Sequence, residues 1–331
     1  MHGRVAILGV LTCAAVLSTG CALHPPTDTF PAAPPTSLDA SRPLAVIGDL
    51  QQTRAFVRWA MKTESTASEQ PVLIADLQER VKEIAGLVIV GDLVYTGGSR
   101  SDWKHFDSLV APIARAVPVL PAIGNHDYYC VFIQKCMHHV VPKEFRLRFP
   151  WFAPGQPYSV AYGDIMLAFL DSETELEAQG AWLEKKMREW APTYRAVLIF
   201  LHRPPFTNVA TGRAEPALDV REQFVGRLTG ASPLPVMITG HIHGYEHLVI
   251  DDVHYVTTAG GGGPRGWLAV ERPNDVYPGP DCARDEIGLI QRPFNYLLIE
   301  RRPAALAVTM RGFCFPQDQP TVLESFEISL P

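Results

Sequence analysis

The order of apolar runs along the chain predicts an α/β protein in which two mixed β-sheets pack together with helices on the outside. Three observations lead there. Short apolar runs alternate with amphipathic stretches in the first half, a β-α-β-α-β opening. Tyr158–Asp171, YSVAYGDIMLAFLD, reads as two strands meeting at Gly163-Asp164, so an antiparallel element joins an otherwise parallel pattern. A second half alternates helices and strands again and ends in β-rich sequence.

Taken in order, the first half runs LAVIGD, a helical region through Arg80 to Ala85, LVIVGD, the helical SDWKHFDSLVAPIARA and VPVLPAIGNHD. The second half has a helix from about Glu175 to Trp190, the strand AVLIFLH, a helix around Leu218 to Leu228 and the strand PVMITGHIH. No internal repeat is visible. With 331 residues, 47% of them hydrophobic and 19% charged, the chain can bury one large core or two modest ones.

The N-terminus reads as an export signal. Arg4 precedes an apolar run from Val5 to Leu17, then small residues lead to Cys21. That run is shorter than the roughly 20 residues of a permanent membrane span. Ser18, Thr19 and Gly20 before Cys21 resemble a bacterial lipobox, although Leu17 stands one place early, so plain cleavage and release is the alternative. Residues 22–42 carry five prolines and no apolar periodicity, which reads as a tether, with the folded domain from about Pro43 to Pro331. The expectation is an exported protein, outer-membrane lipoprotein or periplasmic, whose only membrane contact is that anchor. A formal charge of -6 leaves no excess of cations for a nucleic-acid backbone, so no nucleic-acid partner is expected.

Cys130, Cys136, Cys282 and Cys314 remain in the exported part, where disulfides are permitted. Proximity favours Cys130 with Cys136 and leaves Cys282 for Cys314; buried free thiols are the alternative.

Five apolar runs end in groups that bind metal: Gly48-Asp49, Gly91-Asp92 with Tyr95, Gly124-Asn125-His126-Asp127, Leu201-His202, and Gly240-His241-Ile242-His243. In α/β sheets, ligands gather where strand C-termini face a common crevice. Each fragment alone also reads as a turn, a core histidine or a surface pair. Their joint occurrence, always at a strand end, points to one site.

These blocks, Asp, GD, GNHD, His and GHxH, resemble the calcineurin-like metallophosphoesterase superfamily over roughly Pro43 to Met310. Tyr95, in GDxxY, and GHIHGYE look most like its purple acid phosphatase branch. The resemblance implies a four-layer α/β/β/α sandwich holding two metal ions, iron, manganese or zinc. It implies a bridging Asp92, with Asp49, Tyr95 and His243 on the first ion and Asn125, His202 and His241 on the second. Charge repulsion between two cations explains why an anionic bridge is needed. Many members read Asp-x-His in the first block, whereas here it is Asp49-Leu50-Gln51. Either the Tyr95 phenolate takes the vacant place, favouring ferric iron, or Gln51 does, favouring manganese.

The implied reaction is hydrolysis of a small phosphorylated substrate by metal-bound hydroxide, a monoester slightly before a diester or nucleotide anhydride. His126 resembles the family's general acid, and Asp127 is either its orienting partner or a turn residue. A non-catalytic metal-binding lipoprotein is the competing class.

Overall fold

The structure, a computed structural model, describes residues 29–331 except 53–54, 56–57, 60–63, 132–133, 136–141, 210–216, 270, 285–287 and 315–318. The export-like segment, Cys21, the first seven residues of the Pro-rich stretch, Cys136, His138 and His139 lie outside the described residues.

A six-stranded sheet has the order β17 (Thr321–Ser329), β16 (Ala305–Phe313), β15 (Phe294–Arg301), β2 (Leu44–Ile47), β3 (Gly86–Val90), β4 (Val119–Ala122). A seven-stranded sheet runs β1 (Ser37–Leu38), β7 (Tyr158–Tyr162), β8 (Ile165–Phe169), β9 (Ala196–Phe200), β10 (Leu234–Thr239), β12 (Val253–Thr258), β11 (Tyr245–Ile250). Two small ladders pair β5 (Tyr129–Val131) with β6 (Gln134–Lys135) and β13 (Ala283–Arg284) with β14 (Ile290–Gln291). Strands β2, β3 and β4 are parallel, as are β8, β9, β10 and β12, so each set ends its strands along one edge. The expected hairpin is present: β7 and β8 pair antiparallel, with Gly163 at φ 62° supplying the left-handed turn residue.

The expected four layers follow from where alternate residues go. In β3, Val88 and Val90 face the other sheet, where they meet Leu198 and Ile238, while Leu87 and Ile89 face outward toward Leu73, Trp103 and Phe106. On the other side Val197 and Ile199 meet Leu183, Met187 and Phe224. A strand buried on both faces has no polar alternation, which is why these runs are uniformly apolar. The outer helices are Glu69–Glu79 and Arg100–Ala114 on one side, Leu176–Trp190 and a helical run over Leu218–Leu228 on the other.

Two boundaries differ from the reading of the sequence. The first helix ends at Glu79, not Ala85, because Ile84 and Ala85 are drawn into the core and the Ala85 N–H donates to Pro43 O at 2.8 Å. The fold also begins before Pro43. Phe30 is buried against Phe106 and Phe149, ring centroids 6.3 and 5.3 Å away, and β1 pairs parallel with β7. The proline content of the tether hid that one aromatic anchor.

Cys282 and Cys314 form a disulfide with Cα atoms 4.9 Å apart, which ties β13 to the end of β16. Cys130 is also disulfide-bonded. Among the described residues no helix is long and apolar enough to cross a membrane.

Candidate metal centre

All five motif blocks lie just past the C-terminal ends of β2, β3, β4, β9 and β10, on the shared edge of the two sheets. The glycines before them make the approach possible. A Cβ at Gly91, where φ is 88°, would stand 2.4 Å from His202 Nδ1, and one at Gly124 would stand 2.3 Å from Asp92 Oδ1. Asp49, Asp92, His241 and His243 all hold positive φ, at 59°, 52°, 77° and 50°. Each such residue costs on the order of 1–2 kcal/mol, strain that clusters where side chains are aimed for function.

Two donor groups result, sharing one carboxylate: Asp92 with His202 and His241, and Asp92 with Asp49 and His243, each with candidate atoms within 4.8 Å of one another. The tautomers are set from behind. His202 Nδ1 donates to Val90 O at 2.9 Å and His243 Nδ1 to Pro264 O at 2.9 Å, so in both rings Nε2 faces the cluster. Around His202 Nε2 stand Asp92 Oδ2 at 3.3 Å, Asn125 Oδ1 at 3.2 Å and His241 Nδ1 at 3.2 Å. The Asn125 amide is held by donating to Tyr129 Oη at 3.2 Å. His243 Nε2 lies 3.4 Å from Asp49 Oδ1. The glycine turn after β12 braces this side, with Gly261 and Gly263 N–H groups donating to Gly48 O and Asp49 O.

Electrostatics fit a cation. Burial pushes the Asp49 carboxyl well above its ordinary range, and the Asp92 and Asp127 charges add to that. Burial works against protonated His202, yet the neighbouring Asp92 carboxylate pushes its pKa up to about 10. Burial and the charge on His202 hold His241 well below the usual imidazole range. Carboxylate, imidazole and amide oxygen converging in a buried site are the donor set of a divalent or trivalent ion.

Gln51 belongs to this cluster. Its Nε2 lies 3.1 Å from Asp92 Oδ2 and 2.8 Å from His243 Nε2, while its Oε1 is buried with no partner. Turning the amide over would place Oε1 against two other acceptors, the Asp92 carboxylate and His243 Nε2, an arrangement that only a bound cation would favour. Tyr95 is buried, with its ring 4.9 Å from the His126 ring.

His126 is anchored twice. Its N–H donates to Asp92 Oδ1 at 2.9 Å and its Nδ1 to Tyr95 O at 2.7 Å, leaving Nε2 as the working nitrogen. The ring partner is therefore the Tyr95 carbonyl rather than Asp127. Asp127 is wholly buried and its carboxylate accepts from Leu93 N at 2.9 Å, Val94 N at 3.3 Å and Gly124 N at 2.9 Å. Of the two roles open for Asp127, orienting partner or turn residue, its bonds are those of the second: it clamps the Asp92 loop to the Asn125 loop, because three N–H groups at two strand ends need an acceptor.

Other polar residues separate. Glu246 is buried and accepts from Thr207 Oγ1 and Asn208 N, bracing the loop after His202. His247 points between the sheets, 3.0 Å from Glu324 Oε1 and 3.0 Å from His254 Nδ1. Arg203 bonds Glu173, whose side chain is only 2% exposed. Tyr129, Glu173 and Pro264 escaped the reading of the sequence, since support from tertiary neighbours leaves no spacing pattern.

A four-layer sandwich whose shared edge gathers two carboxylates, three imidazoles and an asparagine amide defines a metal-binding phosphoesterase fold. The family model for calcineurin-like phosphoesterases matches residues 42–245, and the chain belongs to that family. It is 25% identical to purple acid phosphatase 18 of Arabidopsis thaliana over 167 residues, 48% of this chain and 37% of that protein. Over 107 residues, 30% of this chain and 16% of the relative, it is 30% identical to probable inactive purple acid phosphatase 24 of the same plant. The matched regions thus span well under half of these relatives. The fold is shared with purple acid phosphatase PPD1 from yellow lupin (Lupinus luteus), at a TM-score of 0.60 and 19% identity over 91% of this chain and 55% of that one.

Proposed function

We propose that the protein is a binuclear metal-dependent phosphoesterase that hydrolyses a small phosphate ester, monoesters before diesters. The observation that carries this reading is the sharing of Asp92 by two donor groups, as a bridging carboxylate requires. Asp49, Asp92 and His243 would hold one ion, with Gln51 or Tyr95 completing its protein ligands. Asp92, Asn125, His202 and His241 would hold the other.

Bound ions would supply charge to offset the phosphoryl oxygens and would lower the pKa of a water. The chain's own residues do the rest. Val90 and Pro264 carbonyls keep His202 and His243 in the ligating tautomer. His126, with Nδ1 committed to Tyr95 O, presents Nε2 to protonate the leaving oxygen. The N-terminal run Val5–Leu17 and Cys21 support export and lipid anchoring.

The test is hydrolysis of a chromogenic phosphomonoester and the matching diester after chelation and re-addition of iron, manganese or zinc, with metal content measured alongside. Activity returning at two ions per chain with monoester preferred is the expected result. The second reading, a non-catalytic metal-binding protein, draws on the relative named inactive. Two bound ions with no turnover of any phosphoester would favour it.

A further inference from the structure

Beside the donor groups lies a cavity of about 300 Å³, the lower end of the size range of small-molecule sites. Leu50, Leu93 and Val94 give it an apolar floor, and each is 1–2% exposed. Gln51 and Tyr95 form the wall it shares with the candidate metal centre. Gln51 touches Asp92 and His243, and the Tyr95 ring lies against His126. A phosphoryl group at the centre therefore has this cavity on the side of the residue that supplies the leaving-group proton.

The polar groups of the cavity are unequal. His105 already bonds Gln70 Oε1 at 2.8 Å, and Asp102 accepts from Thr96 N and Ser99 Oγ at 3.0 and 2.9 Å. Arg58 differs: its Nε is buried and has no acceptor among the described residues. A buried donor left unpaired is costly, and an acceptor oxygen on a bound molecule removes that cost.

We infer that this cavity is the leaving-group subsite, and that it takes a small alcohol with an apolar body and a carboxylate or hydroxyl oxygen bound by Arg58. The inference rests on the phosphoesterase reading and names its substrate class. In the hydrolysis of such a monoester by water, the phosphorus bond to the leaving oxygen breaks and one to the water oxygen forms. The leaving oxygen takes its proton from His126 Nε2, and a proton from the attacking water restores His126, giving the free alcohol and phosphate.

Two variants probe the cavity without touching the candidate ligands. Ala67→Phe fills it from the rim, where Ala67 is exposed and substitution does not threaten the core. Arg58→Met removes the donor and keeps the bulk. The metal-loaded protein is assayed with 4-carboxyphenyl, phenyl and methyl phosphate, comparing each variant with wild type on each ester. Ala67→Phe is expected to lower kcat/KM tenfold or more for both aryl esters and less than twofold for methyl phosphate. Arg58→Met is expected to cost tenfold on the carboxylated ester alone. Equal losses on all three esters, or none, would overturn the subsite. If wild type turns over no ester with any metal, the phosphoesterase reading fails, and calorimetry on the metal-free protein decides the cavity separately. Saturable binding of 4-hydroxybenzoate, weakened tenfold by Arg58→Met, upholds it as an alcohol site; absence of binding overturns it.

Discussion

Replacing Asp127 by Asn separates a backbone clamp from a catalytic partner. The carboxylate accepts three backbone N–H groups, from Leu93, Val94 and Gly124, in a site with no water-exposed surface. Asn keeps one acceptor oxygen for Leu93 and Val94 but turns an NH2 toward the Gly124 N–H. One hydrogen bond is lost and two buried donors, the Gly124 N–H and the new NH2, are left facing each other, a cost of at least about 1–3 kcal/mol. For a domain of about 300 residues, with an unfolding entropy of about 0.6 kcal/mol/K, that is a fall of roughly 2–5 °C or more in unfolding midpoint. The measurement is the thermal midpoint of the metal-free variant beside wild type, together with kcat on a monoester after metal loading. A lowered midpoint with kcat within about tenfold is expected, since the His126 ring is held by Tyr95 O instead. An unchanged midpoint with kcat down a hundredfold would refute the clamp and restore Asp127 as the partner of His126.

His126→Ala should retain both ions and lose rate chiefly with poor leaving groups, by roughly 10²- to 10⁴-fold; equal losses across leaving groups would remove it as general acid. Gln51→Ala and Tyr95→Phe decide the open ligand: the amide's place among Asp92 and His243 predicts that Gln51→Ala lowers metal stoichiometry or affinity while Tyr95→Phe does not, and the reverse result by elemental analysis assigns the phenol. Burial raises Glu246 to about 7, although Thr207 and Asn208 bond it. Its folded pKa lies above the unfolded value, so its contribution is complete in acid and is lost as pH climbs through about 7. Glu246→Gln should therefore flatten the decline in denaturant midpoint between pH 5 and 8.5; a decline as steep as wild type's would show that another group causes it.

Much of the site could be read from residues in a row because the chemistry sits at strand ends. A buried parallel strand is a visible apolar run, and its C-terminus is marked by a glycine and a polar group, as in Gly91-Asp92 and Gly240-His241. The sequence by itself therefore determined the layers and the hairpin at Gly163, and it proposed seven candidate ligands with Gln51 as the alternative. It also suggested the pairing of Cys282 with Cys314. Only the tertiary structure decided which atoms meet. Gln51 reaches His243 across 192 positions, Asp127 spends its carboxylate on backbone rather than on its neighbour's ring, and Phe30 anchors a proline-rich stretch to the core. The cavity holding Arg58 is likewise assembled from segments that share no periodicity. Periodicity and turn chemistry are local properties of a chain, whereas hydrogen-bond satisfaction and cavity shape depend on partners that folding brings together.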